Sequence, residues 1–169
     1  MTDLSDMPSA PPEQEVSDFL SAYLETLSMV ERLHRLLLDV IKDEFERLGV
    51  IDINPVQALL LFNVGDNVVT AGELKSRGYY QGSNVSYNLK KLVDAGYMHH
   101  QRCEVDRRAV RVRLTDRGRD IRALVAALFE RHARGILSRS VLQPGQIAEI
   151  NADLRGLEVY WGEQIRYIY

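Results

Sequence analysis

The first third of the chain carries a long helical pattern of apolar side chains. Between residues 16 and 48, the positions of this stripe alternate between spacings of four and three residues. They are Val16, Leu20, Tyr23, Leu27, Val30, His34, Leu37, Ile41, Glu44 and Leu48, of which only the histidine and the glutamate are not apolar. A stripe of this length exceeds an ordinary globular helix and approaches the period of a coiled coil. We therefore expect one long helix over residues 16–48, within an N-terminal dimerisation segment 16–53 that packs against a second subunit.

Two shorter helices with recognisable start signals are predicted next. Asn54 is a favourable N-cap residue, and the proline that follows it suits the first position of a helix. Thr70 and Glu73 have the spacing of a capping box, which begins a short helix that Gly78 ends.

A helix-turn-helix and a hairpin are predicted in the middle of the chain. Residues 83–95 place Val85, Leu89 and Leu92 on one helical face, and a glycine follows as a C-terminal stop. The segments YMHHQRCEV, DRRA and VRVRLT then predict a strand, a charged turn and a second strand. A helix-turn-helix followed by a β-hairpin is a winged helix, which we assign to residues 54–118.

The two ends of the chain complete the predicted fold. Residues 1–15 are acidic and contain three prolines, which predicts a disordered tail. Residues 119–169 carry two amphipathic helices, one capped by Thr115 or Asp116 and the other opened by Pro144. The predicted fold class is mainly α with a small β-hairpin wing, a winged helix-turn-helix flanked by long terminal dimerisation helices. Because a monomer would expose large apolar stripes, we expect an obligate homodimer.

The charge of the chain is unevenly distributed. Residues 1–74 carry 14 acidic and 4 basic side chains, whereas residues 75–122 carry 12 basic and 5 acidic ones. The middle segment therefore has a charge of +7 in a chain whose net charge is −3. This asymmetry suggests a polyanion as partner, with a solvated basic face as the alternative.

Several other classes of protein find no support in the sequence. The chain has no apolar run long enough to span a membrane and no basic leader with an apolar core, so we expect a cytoplasmic protein. It shows no nucleophile–base pair, no paired carboxylates at an active-site spacing and no phosphate loop, so we expect no enzyme. His99 and Cys103 share a strand face while His100 points away, and two ligands do not make a zinc site. We expect no metal and no cofactor, and a redox role for Cys103 stays an alternative.

The wing segment carries a family resemblance. DRRAVRVRLTDRG at 106–118 resembles the pattern D-x-R-x-V-x-V-x-L-T-x-x-G of the MarR family of bacterial transcription regulators. NVSYNLKKLVDAGYM at 84–98 is similar to the recognition helix of that family, and NPVQALLL at 54–61 is similar to its second helix. The resemblance covers roughly residues 16–169. It implies a dimeric, sequence-specific DNA-binding regulator of transcription, most simply a repressor, that binds a pseudopalindromic operator in double-stranded DNA.

The chain departs from the family pattern in two places. Many members have an arginine on the first wing strand where this chain has His100, and Arg102 on the same strand face is a substitute. Members that sense oxidation use a cysteine near the N-terminal helix, and this chain has none there.

The recognition helix, residues 83–95, is expected to enter the major groove, where the base edges are distinguishable. Four of its polar side chains follow the i, i+3, i+4, i+7 spacing opposite the apolar face, and two serines near its start suit phosphate. The predicted contact residues are Ser83, Asn84, Ser86, Tyr87, Asn88 and Lys91. The solvent face of an ordinary amphipathic helix is the alternative.

The wing, residues 103–111, is expected to enter the minor groove. Arg107 and Arg108 occupy its tip, and the resemblance implies that Arg108 enters the groove while Asp106 orients it. Arg111 is better placed for phosphate than for bases.

The resemblance also implies a regulatory ligand. Members of the family commonly bind small aromatic or phenolic compounds between the dimer helices and the winged helix, which releases or modulates DNA binding. The aromatic candidates are Tyr23, His34, Phe62 and Trp161, for each of which ordinary packing is the alternative. The alternative function is a dimeric winged-helix adaptor for other proteins without specific DNA binding, and the basic wing counts against it.

Overall fold

The computed structural model describes residues 12–76, 82–102 and 110–168. In chain order the elements are α1 (Glu13–Leu48), α2 (Pro55–Val64), β1 (Val69–Thr70), α3 (Ala71–Ser76), α4 (Gly82–Asp94), β2 (Met98–Arg102), β3 (Val110–Leu114), α5 (Asp116–Ser138) and α6 (Pro144–Ile168). The strands form an antiparallel sheet in the order β1-β3-β2. The predicted fold class is confirmed, because long helices flank a helix-turn-helix and a β-hairpin. The chain divides into two compact units, between Leu59 and Leu60.

Helix α1 begins earlier than expected and holds the buried carboxylate of Glu44 in an ion pair with an exposed arginine. It begins at Glu13, three residues before the predicted start, because a proline precedes it and acidic side chains fill its first turn. Glu44 is only 9% exposed, and Arg47 donates two hydrogen bonds of 2.9 and 2.8 Å to its carboxylate. The hydrogen bond and the charge of Glu44 raise the pKa of Arg47 above its ordinary value. This pairing allows a carboxylate to occupy the apolar stripe.

The predicted start signals of two helices are confirmed as reciprocal hydrogen bonds. At α2, the Asn54 side chain accepts from the Gln57 amide at 2.9 Å, and the Gln57 side chain accepts from the Asn54 amide at 3.2 Å. At α3, Thr70 accepts from the Glu73 amide at 3.1 Å, and Glu73 accepts from the Thr70 amide at 2.6 Å. The same threonine closes β1, a two-residue strand that the sequence analysis did not predict. The predicted stop at Gly78 lies outside the described residues.

The sheet has one buried and one exposed face. Val69 of β1 and His100 of β2 both lie opposite Val112 of β3, and Met98 lies opposite Leu114. Val112 and Leu114 are buried at 1% and 4% exposure, while the arginines between them are exposed. The sequence VRVRL predicts that its valines and leucine face the body while its arginines face outward, and this alternation is confirmed for residues 111–114, whose side chains are described.

Helix α5 starts at the earlier of its two predicted caps. The Thr115 side chain accepts a hydrogen bond of 3.1 Å from the Gly118 amide, so Thr115 is the N-cap. The first half of the helix buries Ile121, Val125 and Leu128. Its second half does not continue this burial, since His132 and Ile136 are exposed. The chain itself thus covers only half of the apolar face that the sequence predicted.

The terminal helices expose much of their apolar surface. Large apolar side chains that are at least 40% exposed are Val16, Phe19, Leu20, Leu24, Met29, Val30, Leu33, Leu36 and Leu48 in α1, and Ile147, Ile150, Leu154, Val159, Tyr160, Trp161 and Ile165 in α6. Among the described residues, no helix combines the length and the apolar character that a membrane crossing needs.

A close backbone contact fixes the start of α5. A Cβ atom on Gly118 would lie 2.2 Å from the carbonyl oxygen of Tyr97 and 3.3 Å from its carbonyl carbon. No flexible side chain can give way there, because both atoms belong to the backbone. Any residue other than glycine must therefore push the two segments apart.

We expect Gly118→Ala to lower the free energy of unfolding by about 3 kcal/mol, at the upper end of the cost of overpacking. Gly135→Ala is the matched control in the same helix, because no atom lies within 4 Å of its Cβ position. This control should gain up to about 1 kcal/mol from the better helix propensity of alanine. Urea unfolding followed by circular dichroism measures both values. Equal midpoints for the wild-type protein and Gly118→Ala would contradict the contact.

Candidate nucleic-acid interface

Helix α4 presents a polar face to solvent because its other face is held in the core. Val85, Leu89 and Leu92 are 1%, 6% and 1% exposed. On the opposite side, Tyr87 is 61% exposed, and Asn84, Ser86 and Lys91 are exposed as well. Three of the four residues predicted from the helical spacing, Asn84, Tyr87 and Lys91, therefore lie on the accessible side, as does Ser86. Ser83 lies in the first turn of α4, and its side chain is outside the described residues.

Two pairs of side chains organise this polar face. The ammonium group of Lys91 lies 5.7 Å from the ring centroid of Tyr87, close enough for a cation–π interaction. Asn88 is half-buried, and its side-chain amide donates a hydrogen bond of 2.9 Å to the Asn84 carbonyl oxygen. Because the Asn88 side chain already forms a hydrogen bond within its own helix, it is less suited to hydrogen-bonding a base than the exposed Asn84.

The C-terminal end of α4 is the predicted glycine stop. Gly96 has a φ of +78°, the left-handed region that glycine adopts without strain. The Gly96 amide donates to the Val93 carbonyl at 3.0 Å, and the Tyr97 amide donates to the Leu92 carbonyl at 2.8 Å. This pair of bonds is a Schellman motif, and it turns the chain directly into β2.

The outer face of the sheet is basic. Arg111 lies opposite both Thr70 and Gln101, and Arg113 lies opposite His99. Both arginines are exposed, and neither forms a salt bridge with any acidic side chain in the described parts of the chain. A flat strand face with unneutralised guanidinium groups suits phosphate oxygens.

The tip of the wing lies beyond the described strands. Asp106, Arg107 and Arg108 fall in the segment 103–109, which is outside the described residues, as is Cys103. In the backbone register of the sheet, Arg102 lies opposite Val110 and His100 lies opposite Val112.

Two exposed cations beside the predicted contact residues were not among them, although the strand alternation predicted that Arg113 faces outward. Lys90 is exposed on α4 beside the predicted contact residues, and Arg113 is exposed on the same strand face as Arg111. The alternation of β3 was the available signal for Arg113. Nothing in the helical spacing of α4 separated Lys90 from an ordinary solvent-exposed lysine.

A polar junction joins the end of α4 to the start of α5. The Thr115 side chain donates to the Gly96 carbonyl at 2.8 Å, and the Thr115 amide donates to the Tyr97 carbonyl at 3.0 Å. The guanidinium of Arg117 donates to the Ala95 carbonyl at 2.9 Å and lies 4.2 Å from the centroid of the Tyr97 ring. The segment LTDRG therefore does more than cap α5, because it also holds the exit of the recognition helix. Sequence reasoning recognised the cap and missed the junction.

The predicted ligand residues do not form one compact aromatic site. Tyr23 and His34 lie 11 residues apart on α1, about 16 Å along the axis at 1.5 Å per residue, so a small aromatic ring cannot contact both in one chain. Tyr23 is half-buried beside Phe19, and His34 is exposed.

The other two aromatic candidates belong to the second unit. Phe62 and Phe129 are half-buried and pack edge-on with the ring centroids 5.1 Å apart, which is an ordinary aromatic contact. Trp161 of α6 is 41% exposed.

The described part of the second unit contains a cavity that the sequence did not suggest. It is an open depression of about 440 Å³, lined by Arg131, His132, Gly135, Ile136, Arg139 and Val141. None of the four predicted ligand residues lines it. Within the described residues, no group of three or more histidine, cysteine, aspartate or glutamate side chains is arranged to hold a metal ion.

The sequence and the fold both have known counterparts. The family described as winged helix DNA-binding domain matches residues 53–118. The exopolysaccharide II synthesis transcriptional activator ExpG of Rhizobium meliloti (strain 1021) is 34% identical over 155 residues, covering 92% of this chain and 79% of that protein.

Solved structures share the fold at lower identity. A MarR family transcriptional regulator from Listeria monocytogenes, complexed with 26mer DNA, superposes with a TM-score of 0.70 at 14% identity, covering 84% of this chain and 92% of that one. A Staphylococcus aureus MarR in complex with salicylate and kanamycin superposes with a TM-score of 0.66 at 18% identity, covering 87% and 97%. Together with the winged helix and the relative at 34% identity, these structures show that the chain belongs to the MarR family of winged helix-turn-helix transcriptional regulators.

Proposed function

We propose that this protein is a homodimeric, sequence-specific regulator of transcription that inserts the recognition helix 83–95 into the major groove. The wing 103–111 enters the neighbouring minor groove, led by Arg108 with Asp106 and Arg107 beside it. The observation that carries the proposal is the exposed polar face of α4, with Tyr87 61% exposed beside Lys91.

The two parts of this surface suit two kinds of DNA contact. On α4, Asn84 and Tyr87 project a side-chain amide and a phenol that can hydrogen-bond to base edges in the major groove. Ser83 and Ser86 near the start of the helix, and Arg111 on the wing, suit phosphates and set the register without reading sequence. The charge of +7 over residues 75–122 supplies the sequence-independent attraction.

The proposed dimer follows from the apolar surface of the terminal helices. Residues 16–53 and 119–169 form the dimerisation helices, and residues 54–118 form the DNA-binding domain. A two-fold dimer presents two recognition helices to one side of the duplex, about one helical turn apart, so the operator is a pseudopalindrome.

A small aromatic or phenolic effector modulates DNA binding in this proposal. The support is indirect, since the Staphylococcus aureus structure with the same fold was solved with salicylate. The predicted contacts stay Tyr23, His34, Phe62 and Trp161. Within one chain, Tyr23 and His34 would contact different ligand molecules. The effector acts by favouring one of two preexisting spacings of the recognition helices.

The direction of regulation stays a prediction. A repressor is the simplest expectation, whereas the relative from Rhizobium meliloti is named a transcriptional activator. Transcription in vitro from a promoter that carries the selected operator decides the sign.

DNA recognition is tested with duplexes that the wild-type protein selects from a random pool. Tyr87→Ala should weaken binding to the selected duplex by about tenfold, the typical loss of a base contact, and leave binding to random duplex unchanged. Lys91→Ala should lower the slope of log Kd against log salt by about 1. Fluorescence anisotropy at several salt concentrations measures all of these values.

The control for Lys91→Ala is Lys42→Ala, which removes the same charge from an exposed lysine on α1 that pairs with Glu46 at 3.6 Å. It should change neither affinity nor slope. If the wild-type protein enriches no sequence and shows no salt-sensitive binding, the adaptor function replaces this proposal.

The proposed dimer is tested with substitutions at two exposed positions of α6, one isoleucine and one valine. Ile165 continues an apolar stripe of α6 in which Ile147, Ile150, Leu154, Leu157 and Trp161 follow one another at spacings of three and four residues, and it is 62% exposed. Val159 lies off this stripe and is 61% exposed. Ile165→Asp should raise the dimer dissociation constant at least about tenfold, because burial of each isoleucine side chain in the dimer contributes roughly 2 kcal/mol to its stability. Val159→Asp introduces the same charge and the same loss of helix propensity without that effect. Sedimentation velocity reads the mass, and a wild-type monomer would contradict the proposal.

A further inference from the structure

Arg117 occupies an unfavourable position in its own helix. It is the second residue of α5, where the positive end of the helix dipole disfavours a cation. The neighbouring Asp116 suits that position and pairs with Arg119 instead, at 2.9 Å. Contacts elsewhere in the fold must therefore offset the cost of placing an arginine there.

Those contacts lie at the end of the recognition helix. The Arg117 guanidinium donates to the Ala95 carbonyl at 2.9 Å and stacks 4.2 Å from the centroid of the Tyr97 ring. Helix α4 ends at Asp94, so the Ala95 carbonyl belongs to the last turn, where carbonyl groups lack intrahelical partners and a cation is favoured. Arg117 thus caps the C-terminus of one helix from the N-terminus of another.

The capped turn is held at each of three consecutive carbonyl groups. Ala95 accepts from Arg117, while Gly96 and Tyr97 both accept from Thr115, at 2.8 and 3.0 Å. Gly118 allows this approach, since a Cβ there would lie 2.2 Å from the Tyr97 oxygen. Thr115 is also the N-cap of α5, so Arg117 is the member of the junction that can be removed while α5 keeps its N-cap.

The junction lies at the opposite end of α4 from the predicted contact residue Asn84. A tilt of about 10° around the Ala95 end moves Asn84, about 16 Å away along the axis, by roughly 3 Å. A hydrogen bond to a base edge does not survive such a shift. Small changes at the junction therefore decide whether the contact residues at the start of α4 are aligned with the groove.

The geometry points to Arg117 as a positioning residue that fixes the angle of the recognition helix against α5 and so determines DNA specificity without touching DNA. This inference rests on the proposed function, because it takes α4 as the element that reads the operator. It differs from a phosphate contact by Arg117, which would add affinity for any sequence.

The first test uses the free protein, so it does not depend on DNA binding. Arg117→Ala should speed amide hydrogen exchange at Gly96 and Tyr97 by about fivefold, as expected for the loss of one hydrogen bond. Arg119→Ala is the matched control, since it removes the same charge from an exposed surface pair in the same helix turn. It should leave both amides unchanged. Unchanged exchange in Arg117→Ala would overturn the inference.

The second test uses the duplex selected by the wild-type protein and a random duplex. Arg117→Ala should lose about tenfold in affinity for the selected duplex, with random-duplex affinity and the salt slope unchanged. Arg117→Lys, which keeps the charge and one donor but not the planar stack, should recover only part of that loss. Equal losses on both duplexes, with a slope lower by about 1, would show a phosphate contact and overturn the inference. A wild-type protein without sequence preference would instead refute the proposed function. The exchange measurement would still test whether Arg117 stabilises the end of α4.

Discussion

The contact between Gly118 and the carbonyl group of Tyr97 is the constraint on which the DNA-binding surface depends. It brings two backbone segments closer than any Cβ allows. Only at that distance can the first turn of α5 donate hydrogen bonds to the turn that ends α4. The recognition helix is therefore attached to the helix that continues toward the C-terminal end of the chain, and its position follows from that of α5.

Electrostatics restricts which part of the surface meets DNA. The chain as a whole is acidic, and residues 1–74 carry a charge of −10, while residues 75–122 carry +7. In the proposed function, a duplex is attracted to the basic segment and repelled by the acidic one, which orients the encounter before any base is read. The exposed arginines of β3 add to this effect because no carboxylate among the described residues neutralises them.

The parts of the fold that the sequence predicted are those set by neighbouring residues. The caps at Asn54 and Thr70 depend on side chains three residues apart, and the alternation of Val112 and Arg113 follows from the pleat of a strand. Strand β1 escaped detection because two residues cannot show a period. The Arg117 contact with Ala95 joins residues 22 positions apart in the sequence, and no local sequence pattern predicts a contact over that separation. The ligand site was not predictable either, since a stripe containing Tyr23 and His34 identifies a face without saying what covers it.

Two kinds of force hold the recognition helix, and they have different consequences. Burial of Val85, Leu89 and Leu92 holds α4 against the core. The hydrophobic effect has no direction, however, so it tolerates small tilts of the helix around its Ala95 end. The hydrogen bonds from Thr115 and Arg117 have a direction, so they select one angle within the range that burial allows. Because these bonds lie near the surface and are few, a modest free energy separates one angle from another. A winged helix held in this way can stay folded while its alignment with DNA changes, which is the property that a regulated DNA-binding protein needs.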